Sequence, residues 1–135
     1  QGAQQALEAE GIAAADPAEI WDGIREKRIR ALYLLGGDPQ DRLSEAEREA
    51  LGGLDFLVVQ DILANELTEL ADVVLPGAAF IEKDGHITNF AGLAQPIQRG
   101  FDPPGDARAD WAIIQDVANA LGGPFAYASV EEIRG

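Results

Sequence analysis

The chain has 135 residues, 47% hydrophobic and 25% charged, with no cysteine and one histidine. That size and balance fit one globular domain rather than a disordered segment, and the missing cysteines exclude a disulfide, a thiolate nucleophile or an iron–sulfur ligand set supplied by these residues. The formal net charge of −14, with the densest cations (Arg25, Lys27, Arg28, Arg30) set among acids, argues against nucleic acid and anionic lipid as partners, because both require many cations on one face.

In chain order, the polar start QGAQQALEAEG does not read as a signal peptide, and residues 1–15 are expected to be peripheral or frayed. Asp16-Pro17 is an N-cap followed by proline at the first helical position, and Ile20 and Ile24 share a face of a helix running to about Arg28. Ala31–Leu35 is an apolar run, read as a strand buried on both faces and broken by Gly36-Gly37-Asp38-Pro39. Ser44 and Glu47 form a capping box for a helix that ends near Gly52-Gly53. Phe56–Val59 is a second strand, Asn65 caps a short helix through Leu70, and Val73–Leu75 is a third strand stopped by Pro76.

Asp84-Gly85 reads as a tight turn, with Ile87 and Thr88 in an extended arm after it. Pro103-Pro104-Gly105 is a loop, and Asp106 or Asp110 is expected to cap the next helix. Trp111, Ile114, Val117 and Leu121 recur at helical spacing as its core face, and Gly122-Gly123 ends it. Ser129 and Glu132 are a last capping box. No apolar run approaches the ~18 residues of a membrane span. Strand–helix alternation at this spacing predicts one α/β domain over residues 1–135, with a mostly parallel sheet and flanking helices in a Rossmann-like arrangement.

In such a sheet, ligands bind at the carboxyl ends of the strands. Gly36-Gly37-Asp38 stands at the first of these ends. Paired glycines let backbone amides approach a phosphate, and the aspartate can accept from a base or ribose; the same residues also make an ordinary strand-to-helix turn. Gln60-Asp61 stands at the second end, where Asp61 either accepts from a nucleotide or caps local amides. Glu82, Asp84 and His86 have the residue types of an acid–base pair, but an exposed turn explains them as well. The acids Asp61, Glu66, Glu69 and Asp72 lack the spacing of a calcium loop and read as a solvated face. No catalytic residue and no metal ligand is expected in this chain.

ALYLLGGDP (31–39), LDFLVVQD (54–61), ADVVLPGAAFIEKDGHITN (71–89) and DARADW (106–111) follow one another in an order and wording that resembles the molybdopterin-dinucleotide oxidoreductase family. Members include formate dehydrogenase and the large iron–sulfur subunit of NADH–quinone oxidoreductase (complex I). The resemblance implies that Gly36, Gly37, Asp38, Gln60, Asp61 and Asn65 face the guanine nucleotide end of a molybdopterin guanine dinucleotide, if that site is retained. It also implies that the chain is a fragment of a larger multidomain subunit. Departures from the family pattern weaken the cofactor expectation. Asn65 and Leu67 stand where relatives carry threonines, Ala91 where they carry a carboxylate, and Leu93 where they carry an arginine that would make a charge-assisted contact with pyrophosphate.

Two functions follow from the resemblance. The favoured one is a scaffold and docking segment of that large complex I subunit, without a redox centre of its own, with iron–sulfur clusters only elsewhere in the parent chain. The alternative is the dinucleotide-binding part of a formate dehydrogenase-like catalytic subunit. Either way the expected partners are other domains of the parent subunit and, in the first case, other respiratory-complex subunits. The expected location is cytoplasmic, peripheral on the inner face of the cell membrane.

Overall fold

The computed structural model describes residues 16–36 and 42–134. The chain divides into two compact units, Gln1–Leu75 and Pro76–Gly135. The first is a βαβαβ unit. Helix α1 (Pro17–Arg25) precedes β1 (Ala31–Leu35), α2 (Glu45–Gly52), β2 (Phe56–Asp61), α3 (Glu66–Leu70) and β3 (Val73–Pro76). The strands form a parallel three-stranded sheet in the order β1-β2-β3. Leu32 lies opposite Leu57 and Leu34 opposite Val59.

The caps are those expected. Asp16 accepts from the Ala18 amide at 2.8 Å, and Ser44 and Glu47 cap each other's backbone amides at 3.3 and 2.8 Å. Helix α1 stops at Arg25 rather than Arg28, because Lys27 turns left-handed at φ 57° and the Arg28 and Ile29 amides both return to the Gly23 carbonyl. β2 runs two residues further than expected, through Gln60 and Asp61. It is the middle strand, so both backbone edges are paired and the ladder carries the polar residues along.

The core sits on one face of this sheet. Leu57 and Val59 are 1% and 0% exposed and pack with Ile24 of α1 and Leu51 of α2, joined by Leu67 and Leu70 of α3. The expectation of strands buried on both faces holds for most of β2 but not for β1. In β1 burial alternates, with Leu32 and Leu34 inward and Tyr33 and Leu35 on the other face, 38% and 54% exposed. A continuous apolar run therefore hid a period of two.

The second unit holds a 3₁₀ turn (Phe80–Glu82), the antiparallel pair β4 (Gly85–Thr88) and β5 (Ala94–Ile97), α4 (Asp110–Ala120) and α5 (Val130–Arg134). Asp84-Gly85 is not a tight turn: Gly85 opens β4, and Asp84 accepts from the Arg99 amide at 2.9 Å. The hairpin bends instead at Asn89, whose side chain accepts from the Ala91 and Leu93 amides while Gly92 takes φ 80°. Neither Asp106 nor Asp110 caps α4. Ala109 holds the N-cap position, and Asp110 lies inside the helix, paired with Lys83. The buried residue of α4 is Ile113, whereas Ile114 and Leu121 are 41% and 85% exposed.

Candidate functional site

Four of the six residues singled out from the sequence meet at the carboxyl ends of β1 and β2; Gly37 and Asp38 lie outside the described residues. Gly36 donates its amide to the Gln60 carbonyl at 2.8 Å, extending the β1–β2 ladder by one bond. Its φ of 71° is one that side chains resist, and a Cβ built there would meet nothing within 4 Å. The strand thus ends at a glycine in the left-handed region of the backbone.

Gln60 and Asp61, adjacent in sequence, serve opposite faces of the sheet, as strand alternation requires. Gln60 lies on the Tyr33 side, 1% exposed, and its side-chain oxygen accepts from the Tyr33 hydroxyl. Asp61 ends the core face, 9% exposed. One of its carboxylate oxygens accepts from the Ile62 amide at 2.6 Å, and the other from the Asn65 side-chain amide at 2.7 Å. Asn65 in turn accepts from the Leu67 and Thr68 amides at 3.0 and 3.1 Å, capping α3. Thr68 completes the box: its hydroxyl accepts from the Asn65 amide at 2.9 Å and donates to the Asn65 carbonyl at 2.8 Å.

A relay therefore runs from the end of β2, through Asp61 and Asn65, into the first turn of α3. Sequence reading found Asp61 and Asn65 but missed Thr68; the signal was its place three residues after a capping asparagine. Each Asp61 oxygen has a named donor and keeps further acceptor capacity, and the Asn65 amide has a second hydrogen to give. Chemically, the relay presents acceptors and a donor at a strand end beside a glycine turn, the donor set that a guanine or ribose needs. The residues present fit the nucleotide end of a dinucleotide.

The other candidates dissolve into structural pairings. Asp72 accepts from the Leu57 amide at 2.7 Å and Glu66 pairs with Arg48 at 2.7 Å, so these acids do not converge with Asp61 on an ion. Among the described residues no group of three or more histidine, cysteine, aspartate or glutamate side chains could hold a metal. Glu82 accepts from the Ala79 amide at 2.8 Å, Lys83 pairs with Asp110, and His86 lies on β4 opposite Pro96. Glu82 and Lys83 are thus taken up in structural pairings. No helix among the described residues is long and apolar enough to cross a membrane.

Comparison with known proteins agrees with this architecture. The chain is 46% identical over 111 residues to the alpha subunit of an F420-dependent formate dehydrogenase of Methanocaldococcus jannaschii, covering 79% of this chain and 16% of that protein. It is 37% identical over 129 residues to a putative formate dehydrogenase of Bacillus subtilis, covering 94% of this chain and 13% of the relative. It is 41% identical over 117 residues to the alpha subunit of an NADPH-Fe(3+) oxidoreductase of Geobacter sulfurreducens, covering 83% and 14%. The chain thus spans about one seventh of the length of these relatives. Acetylene hydratase from Pelobacter acetylenicus shares the fold, with a TM-score of 0.69 over 80% of this chain and 16% of that one, at 22% identity. The molybdopterin oxidoreductase family model matches residues 5–120, and the chain belongs to that family.

Proposed function

We propose that this chain is the part of a formate dehydrogenase-like oxidoreductase that holds the guanine nucleotide end of a molybdopterin guanine dinucleotide. The observation that carries the reading is the strand-end relay of Asp61 and Asn65, next to Gln60, whose carbonyl holds the left-handed Gly36. Gly36, Gly37 and Asp38 would meet phosphate and ribose, and Asp61 and Asn65 would meet the base, with Gln60 holding the backbone between them. When bound, the group would supply the redox-active molybdenum, while this chain's own residues would bind and orient its nucleotide end. The names of the relatives support this over the scaffold role, since formate dehydrogenases stand at 46% and 37% identity. Other domains of the same polypeptide would be its partners.

A second reading, a scaffold segment of the large iron–sulfur subunit of NADH–quinone oxidoreductase at the cytoplasmic face of the membrane, draws on two side chains. Leu67, in place of a family threonine, packs against the core cluster, and Leu93, in place of an arginine, is 60% exposed on the hairpin. Both put apolar side chains where the family resemblance implies polar ones.

Calorimetric titration with GDP separates the two readings, with Asp61→Ala as control. Binding in the micromolar range that the substitution abolishes is the expected result. An absence of heat at millimolar GDP, with the protein shown to be folded, refutes the dinucleotide reading and leaves the scaffold.

A further inference from the structure

The end of α4 and the segment after it are joined by a device that the strand-end site does not use. Helix α4 closes in two bonds, from the Gly122 amide to the Asn119 carbonyl at 3.0 Å and from the Gly123 amide to the Ala118 carbonyl at 2.8 Å, with Gly122 at φ 95°. This is the Schellman closure, and it turns the chain back along the helix. The returning segment is then held by two amide side chains of α4. Asn119 donates to the Phe125 carbonyl at 2.8 Å and accepts from the Phe125 amide at 2.9 Å. Gln115 donates to the Tyr127 carbonyl at 3.2 Å and accepts from the Tyr127 amide at 2.8 Å.

The geometry explains why the pairing repeats. Residues four apart on a helix rise by about 6 Å, and residues two apart on an extended chain advance by about 6.6 Å. A Gln-x-x-x-Asn face therefore matches alternate residues of an extended strand, each side-chain amide imitating a backbone partner. All four side-chain bonds lie at the exposed surface. Each such bond contributes little net stability where water can replace it. Beyond Tyr127 the segment continues into Ala128–Glu131, which walls a cavity of about 210 Å³ also lined by Lys83, Arg99 and Trp111.

We propose that residues 123–131 form a releasable latch, held by Asn119 and Gln115, that covers the cavity beside Lys83 and Trp111. The latch opens locally while the rest of the fold stays closed. Tight steric fit at its root supports a single docked position: a Cβ on Gly123 would lie 2.8 Å from the Ala118 carbonyl and 2.9 Å from the Phe125 ring.

Amide hydrogen exchange read by NMR on the full chain tests this. In the unaltered protein, the Phe125 and Tyr127 amides should exchange faster than that of Val59, at a rate insensitive to low urea. Asn119→Ala should accelerate exchange at Phe125, and Gln115→Ala at Tyr127, each about tenfold or more, with Val59 unchanged. Asn119→Asp and Gln115→Glu keep the acceptor and should retain most of that protection. Gly123→Ala should release both positions together without touching either rung. In a Trp21→Phe background, Asn119→Ala should also raise acrylamide quenching of Trp111. Exchange at Phe125 and Tyr127 only at the rate of Val59, or unchanged by the alanine substitutions, overturns the latch. Unchanged quenching of Trp111 overturns the cover it provides.

Discussion

Replacing Asp61 with alanine separates a residue that waits for a ligand from one that holds the protein together. Its carboxylate accepts two short bonds, at 2.6 Å from the Ile62 amide and 2.7 Å from the Asn65 side chain, and the residue is 9% exposed. Hydrogen bonds to a charged partner contribute about 1.5–3 kcal/mol each when buried. Ile62 itself is 54% exposed, so water takes over its amide at part of that cost. The expected loss for Asp61→Ala is about 2–3 kcal/mol, read as a lower urea midpoint at unchanged slope in the ligand-free protein. Asn65→Ala removes the α3 cap and should cost about 1–2 kcal/mol. Because the two side chains bond each other, the double variant should lose less than the sum of the single losses, by about 1 kcal/mol. A ligand-free Asp61→Ala protein within about 0.5 kcal/mol of the parent refutes the relay and makes Asp61 a ligand-facing group only.

The same contacts carry three further predictions. Leu57→Ala removes a side chain that is 1% exposed at the centre of the core cluster and should cost about 3 kcal/mol by denaturant unfolding, because the middle strand cannot collapse onto the void. The Ser44 hydroxyl and backbone amide hold the Glu47 carboxyl below its ordinary value of 4.5, so the stability it lends is present above that value and fades as pH falls through the lower folded-state value. Ser44→Ala should flatten that acid limb in a pH series of melting temperatures. Leu67→Thr, which puts a hydroxyl into the first turn of α3 beside Asn65, should tighten GDP binding by calorimetry under the dinucleotide reading; no gain weighs toward the scaffold.

Much of the first unit was legible because its signals are local. Asp16-Pro17, Ser44 with Glu47, and Asn65 each carry their own capping chemistry, and the structure uses all three. The end of β1 was legible for the same reason, since an apolar run stopping at Gly36 marks where a ladder finishes, whereas β2 carries its ladder past its apolar run through Gln60 and Asp61. What stayed hidden depended on partners distant in sequence. Asp110 looks like a cap until Lys83, 27 residues away, claims it. Asp84-Gly85 has turn chemistry, yet the Arg99 amide draws it into an extended arm. Which face of ALYLL meets the core was unreadable because every residue in it is apolar. Only the register against β2 sets Leu32 and Leu34 inward.

The same constraint bears on how a site of this kind persists or decays. The bonds that would orient Asp61 and Asn65 toward a nucleotide also close α3 onto β2, through the Asn65 cap and the Thr68 hydroxyl. Selection for folding alone would keep them. The residues that carry no such double duty are those whose polar groups would meet only the ligand. At Leu67 the chain has instead put a side chain that the core cluster absorbs. Strand-end polarity therefore serves the fold and a nucleotide alike, and a gain in GDP affinity from Leu67→Thr tests the second role apart from the first. A leucine at 67 that packs on the core stabilises the fold whether or not a ligand is present.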